Sequence, residues 1–358
     1  MLIKYNNPFE IIPLITSESQ LNKYMQSIQH QSLLAIDTEF RRIDSYFPEL
    51  CLIQIAAGSD LECIDVLAIK NLEPLFQKLY DSETIWVIHS ARQDIEALYH
   101  LSQRMPHAIF DTQIAASLLN YPLQVSYQAL TEALQSVYLE KKHTRFDWKT
   151  RPLPEDVLQY ALDDVKYLLP HYTTLKAELI KSEKLQWLWE ESDFLLDKNL
   201  YEPNFKRIIK KTSGISKINS DSQKQAINLV MWREDTAKKE NKPRKWIMSD
   251  ERLIDYATGK NKLSSSSKKL FEKFLNTNQI ETNFHAPLVT QKPLSADERI
   301  KKNQAQEYIK KISTKHDIAP ELICSSKNLV KFIRGDKGVS INSGWRSKIV
   351  KLKSHLKP

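Results

Sequence analysis

Two carboxylates spaced i and i+2, Asp37 and Glu39, close the apolar run Leu33-Leu34-Ala35-Ile36. Side chains on an extended strand alternate with period two, so a strand through this run sends both acids to one side. Two anions aimed at one point repel each other unless a cation lies between them, and a hard divalent metal takes oxygen ligands. The Asp-x-Glu spacing recurs at Asp60/Glu62, Asp81/Glu83 and Asp94/Glu96, but only Asp37/Glu39 ends an apolar run. The pair is a candidate half of a metal site, and other acids must complete it.

Asp94 is the first candidate to do so. It ends His89-Ser90-Ala91-Arg92-Gln93-Asp94, which follows the strand-like run Thr84–Ile88 and opens a helix. That is the carboxyl edge of a sheet, where ligands gather in α/β folds. The helix dipole alone also favours an acid in a first turn, so Asp94 taken singly carries no assignment. His89 reads as a structural residue at a strand end. Asp111, after His107-Ala108-Ile109-Phe110, reads as the N-cap of the next helix and stays outside the candidate set.

The segment Pro154–Val165 supplies the last acid. Pro154, Glu155 and Asp156 make a helix start. On that helix Val157, Tyr160, Ala161, Asp164 and Leu168 share one face, whereas Gln159, Asp163 and Lys166 lie on another. Asp163 is thus the solvated acid, and Asp164 sits on a mostly apolar, inward face. A carboxylate there costs several kcal/mol unless it is paired or binds a metal. Tyr160, one turn earlier, projects beside it.

The elements that must position these residues alternate between strand and helix. Strands are expected at Leu33–Asp37, Cys51–Ala56, Leu61–Asp65, Thr84–Ile88 and His107–Phe110, the first three as a meander turning at Gly58-Ser59-Asp60. Helices are expected near Leu72–Tyr80, Gln93–Leu101 and Gln113–Leu119. This is a mixed α/β sheet. Residues 1–200 contain one glycine, Gly58. Dinucleotide and phosphate cradles need several at fixed offsets, so both are excluded.

The chain has 358 residues, a length that favours two or three domains. No segment has the length and apolarity of a membrane span, and the first residues lack a basic-then-apolar signal pattern. Cys51, Cys63 and Cys324 show no CxxC spacing, which argues against a disulfide framework or a zinc site. The chain reads as cytosolic. Residues 1–200 hold 18 Lys and Arg against 28 Asp and Glu, and residues 201–358 hold 34 against 16. A basic excess spread over about half the chain points to a polyanionic partner.

With Asp37-Thr38-Glu39, Asp94 and Tyr160-x-x-x-Asp164 in order, the chain resembles the DEDD superfamily of 3′→5′ exonucleases, tyrosine subtype, and within it the ribonuclease D family. Phe146-Asp147-Trp148-Lys149-Thr150-Arg151-Pro152-Leu153 is also similar to the family's segment ahead of the third motif. The histidine subtype would place a His where this chain has Gln159. Met231-Trp232-Arg233-Glu234 with Asn241–Asp250 looks like a first HRDC (helicase and RNase D C-terminal) domain. Ile312–Leu322 through Gly344-Trp345-Arg346 is similar to a second, with Pro287–Pro293 as the linker between them.

The resemblance implies a ribonuclease H-like α/β exonuclease domain over 1–205, followed by two small all-α HRDC domains over 206–282 and 283–358. It implies two divalent ions, Mg²⁺ or Mn²⁺, held by Asp37, Glu39, Asp94 and Asp164, with Tyr160 orienting the attacking water. It further implies a monomer that removes nucleoside 5′-monophosphates from RNA 3′ ends, with transfer RNA precursors as substrates. Lys141, Lys142, Arg145, Lys149 and Arg151 form the basic cluster of the acidic half and are expected to line the substrate path. Phe40 and Tyr46 are candidates to stack terminal bases. Two alternatives stand beside this reading, a DNA 3′→5′ exonuclease and a nucleic-acid-binding protein with a decayed nuclease fold. Decay would be expected to lose one of the four acids or the tyrosine, and all five are present.

Overall fold

The computed structural model describes residues 13–140, 142–143, 145–277, 293–352 and 356. Lys141 and all of the expected linker except Pro293 lie outside the described residues.

Apolar runs become strands where turns release them. The strands are β1 (Leu14–Ile15), β2 (Leu33–Arg41), β3 (Glu49–Ala57), β4 (Asp60–Asp65), β5 (Ile85–Ile88) and β6 (Ala108–Asp111). They form one mixed sheet in the order β1-β4-β3-β2-β5-β6. The meander is as expected. β3 and β4 pair antiparallel through a two-residue turn, and Gly58 there has φ +62°, a left-handed conformation that glycine takes without strain. β2, β5 and β6 run parallel, with Ala35 opposite Val87 and Ile88 opposite Asp111. Their carboxyl ends therefore lie along one edge of the sheet. β1 has only two residues, too few to show a period, and no strand is expected there from the sequence.

Helices α1 (Glu18–Ser27), α2 (Glu73–Leu79), α3 (Arg92–Ser102), α4 (Thr112–Leu118), α5 (Tyr127–Gln135), α6 (Glu155–Lys166), α7 (Leu168–Lys181) and α8 (Leu185–Asp193) accompany the sheet. After them come α9 (Phe205–Lys211), α10 (Ser220–Lys239), α11 (Arg244–Ile247), α12 (Asp250–Ala257), α13 (Ser265–Thr277), α14 (Ala296–His316), α15 (Pro320–Ile323), α16 (Ser326–Ile333) and α17 (Gly344–Ile349). None is long and apolar enough to cross a membrane among the described residues.

One helix departs from expectation. The face containing Tyr160 and Asp164 does not continue unbroken to Leu168, because α6 ends at Lys166 and α7 begins two residues later. The Tyr127 hydroxyl bridges the break. It accepts the Tyr167 N–H at 3.1 Å and donates to the Asp163 carbonyl at 2.9 Å. Asp163 is also not simply solvated: burial raises its carboxyl pKa, and the Gln159 amide donates to it at 3.0 Å.

The chain forms two compact units, one of residues 1–41, 50–197 and 294–358, the other of 42–49 and 198–293. In the first, one apolar core joins Ala35, Val87 and Phe110 of the sheet to Leu175 and Leu188, and to Ile309, Ile323 and Trp345 from the last helices. Trp345 stacks on Trp187 with centroids 4.4 Å apart, and its indole N–H donates to Glu191 at 2.7 Å. The Arg346 guanidinium grips both oxygens of the same carboxylate. Gly344 has φ +55°, and a Cβ there would meet Glu190 Oε2 at 2.6 Å. The Lys184 ammonium donates to the Leu118 and Asp317 carbonyls at 2.8 and 3.1 Å, tying the turn after α14 to the end of α4.

The second unit packs α9–α13 around Ile209, Val230, Trp232, Leu253, Phe271 and Phe274. Among the described residues its buried charges are paired: Arg233 with Asp250 at 2.7 Å and Glu234 with Arg244 at 3.0 Å.

Candidate metal centre

β2 continues past the apolar run through both acids, so the strand itself presents Asp37 and Glu39. α6 packs against β2 and brings Asp164 from its last turn. One carboxylate oxygen from each of Asp37, Glu39 and Asp164 lies within 4.8 Å of the other two. Asp94 arrives separately, in the first turn of α3, which also packs on β2. Thr38 alternates to the opposite side from its two acidic neighbours, and its hydroxyl donates to Asp94 Oδ1 at 2.6 Å.

The electrostatics follow from burial and crowding. Desolvation, then Asp94, Asp164 and Glu39, hold the Asp37 carboxyl well above its usual range. Glu39 is pushed up to about 9 by burial and by Asp164 and Asp94. Asp94 and Asp164 are each raised to about 7, mainly by burial. Without a cation these groups keep protons that carboxyls normally lose. All donors are carboxylate oxygens, the set that a hard divalent cation takes, so the residues fit such an ion. The Tyr160 hydroxyl hydrogen-bonds Asp164, and burial with the charges of Asp164 and Glu39 holds it protonated.

Two further polar side chains of these elements, His89 and Asp111, are held by hydrogen bonds. His89 contacts Thr112 Oγ1 through Nδ1 and the Val125 carbonyl through Nε2, both at 2.9 Å, and burial lowers its pKa. That agrees with a structural role. Asp111 caps α4 as expected, with Oδ1 accepting the Gln113 and Ile114 N–H groups at 2.8 and 3.2 Å. It does more than cap, because it also accepts the Ser90 N–H at 3.1 Å and the Ala91 N–H at 2.9 Å.

Among the proposed substrate contacts, Phe40 lies half-buried directly after Glu39, and Arg145 and Lys149 are exposed. Lys142 pairs with Glu140 at the surface. Tyr46 lies in the second unit. Its hydroxyl donates to Glu234 at 2.9 Å, and its backbone N–H reaches Asn241 Oδ1 at 3.1 Å. Arg151 turns inward. Nε and Nη2 clasp Asp65 at 2.6 and 2.7 Å, while Nη1 donates to the Trp148 and Thr150 carbonyls and Nη2 also reaches that of Cys51.

Sequence reasoning passed over a cavity of about 340 Å³ beside Tyr160 and Asp164, lined also by Gln128, Tyr138, His143 and Gln159. His143 lies edge-on to Tyr160, with centroids 5.9 Å apart. No local pattern marks Tyr138 or His143, which sit in the loop between α5 and α6. Thr38 was hidden between the two acids that drew attention.

The pattern of a family described as 3'-5' exonuclease matches residues 12–180. The chain is 31% identical to Ribonuclease D of Bartonella henselae over 359 aligned residues, covering 95% of this chain and 88% of the relative. It is 37% identical to Ribonuclease D of Zymomonas mobilis over 254 residues, covering 69% of this chain and 64% of the relative. Among solved structures, Escherichia coli RNase D, described as an exoribonuclease involved in structured RNA processing, superposes with a TM-score of 0.81. That match spans 97% of this chain and 99% of the other at 23% identity, which speaks to the fold.

Proposed function

The chain belongs to the ribonuclease D family, and we propose that it trims transfer RNA precursors from the 3′ end with two divalent cations held by Asp37, Glu39, Asp94 and Asp164. It is a hydrolytic 3′→5′ exoribonuclease. The observation that carries the metal reading is the convergence of three carboxylates within 4.8 Å on an edge where their charges oppose one another. When bound, a pair of such cations lowers the pKa of water and neutralises charge on the leaving 3′ oxygen.

The chain's own residues do the rest. Tyr160 keeps its proton, so it orients the attacking water rather than deprotonating it. The products are nucleoside 5′-monophosphates. Phe40, Lys142, Arg145 and Lys149, with Lys141, form the proposed substrate path. Tyr46 and Arg151 are assigned instead to holding their own segments. The helices of residues 206–282 and 283–358 are read as HRDC-type domains. Their Lys and Arg side chains supply salt-dependent, sequence-independent affinity for RNA phosphates. The working form is a cytoplasmic monomer that uses Mg²⁺ or Mn²⁺.

A transfer RNA carrying a 3′ extension tests the substrate. It should be shortened one nucleotide at a time, releasing 5′-monophosphates, with Mg²⁺ but not with EDTA. Equal rates on a matched DNA would overturn the choice of RNA.

A further inference from the structure

Asp94 is held differently from the other three acids. Asp37 and Glu39 are fixed by the strand that carries them, and Asp164 by a helix packed on that strand. Asp94 instead sits in the first turn of α3, just after Ser90, whose φ of +64° is unusual for a residue with a side chain. Several hydrogen bonds restrain it. Asp111, 2% exposed, accepts the N–H groups of Ser90 and Ala91 and so fixes the backbone entering α3. That fixes the backbone rather than the Asp94 carboxylate, which itself accepts backbone N–H groups of Thr38 and Asp94.

Thr38, 5% exposed, donates through its hydroxyl to Asp94 Oδ1 at 2.6 Å. β2 thus serves the site on both of its faces. Asp37 and Glu39 on one side supply ligands, and Thr38 between them aims a third acid from another element. We infer that Thr38 is a positioning residue that orients the Asp94 carboxylate for metal binding. The inference rests on reading the four acids as a metal site. Partners that hydrogen-bond metal ligands orient them and tune their basicity, and losing one typically costs 10–100-fold in metal affinity. Valine has nearly the shape of threonine and lacks the hydroxyl, so Thr38→Val removes the bond with little change in packing.

The test is Mn²⁺ binding to the full-length protein by titration calorimetry, beside steady-state trimming of a 3′-extended RNA. Thr38→Val should bind Mn²⁺ about 10–100-fold more weakly and lose kcat, with KM for RNA within about twofold of the parent. Thr38→Ser, which keeps the hydroxyl, should restore both. Asp94→Ala is the control. If it binds Mn²⁺ like the parent, the site reading itself fails, and the inference with it. If Asp94→Ala weakens binding while Thr38→Val does not, the positioning role alone is overturned. A Thr38→Val protein that melts lower yet binds Mn²⁺ normally has a merely structural threonine, which also overturns the proposal.

Discussion

The Tyr46 hydroxyl donates a 2.9 Å hydrogen bond to Oε2 of Glu234, a residue 188 positions further along the chain. Glu234 is 1% exposed, and its other partner is Arg244, whose guanidinium also lies over the Tyr46 ring at 5.8 Å. The segment that leaves the first acidic motif is therefore built into the second unit. Tyr46→Phe should destabilise that unit by about 1–3 kcal/mol, because a buried carboxylate loses a donor while the ring is kept. Urea unfolding measures it. A base-stacking tyrosine would tolerate phenylalanine with no loss of stability, and that result would contradict this assignment.

Trp345 makes a second long-range anchor. It is wholly buried, stacks on Trp187 and donates to Glu191. Trp345→Ala should cost about 3–5 kcal/mol, the range for a large buried aromatic. Because α14–α17 share the core of the sheet, a fragment of residues 1–200 should be far less stable than the whole chain. A fragment with the parent's unfolding midpoint would refute the shared core.

The acid cluster gives the metal-free protein a defined pH dependence. Glu39 has a folded pKa of about 9 against an ordinary value of 4.5, so the folded chain holds a proton that the unfolded chain has released. Its contribution is full below 4.5 and is lost as pH rises towards about 9. Asp94 and Asp164 act the same way up to about 7. His171, wholly buried and lowered to about 4, acts oppositely: its contribution is present above 6.5 and lost as pH falls. Between pH 7 and 9 the Glu39 effect operates and that of His171 does not. Melting temperature in EDTA should fall across that window, and Mg²⁺ should remove most of the fall. A flat profile in EDTA would contradict the crowded, cation-free cluster.

What the sequence revealed was what local periodicity can carry. Asp37 and Glu39 were visible through the period of two, and Asp164 through the helical period of the segment around it. Asp94 needed the other acids, because a first-turn helix acid has an ordinary explanation of its own. The residues misjudged or missed are those whose partners are remote. Arg151 looks like a member of a basic cluster until Asp65, 86 residues away, takes its guanidinium. The break between α6 and α7 depends on a Tyr127 hydroxyl 40 residues before Tyr167. Thr38 reads as a spacer, since nothing near it in sequence shows that α3 will return Asp94 to its hydroxyl.

The central claim is that Asp37, Glu39, Asp94 and Asp164 together make the hydrolytic centre. Its most direct test is the 3′-end ladder of a tailed transfer RNA cut by the Asp164→Asn protein in Mg²⁺. Asparagine keeps the shape and removes the charge, so trimming should fall by at least about 100-fold, roughly the contribution of one preorganised charge-stabilising group. Trimming at the parent's rate would contradict the assignment.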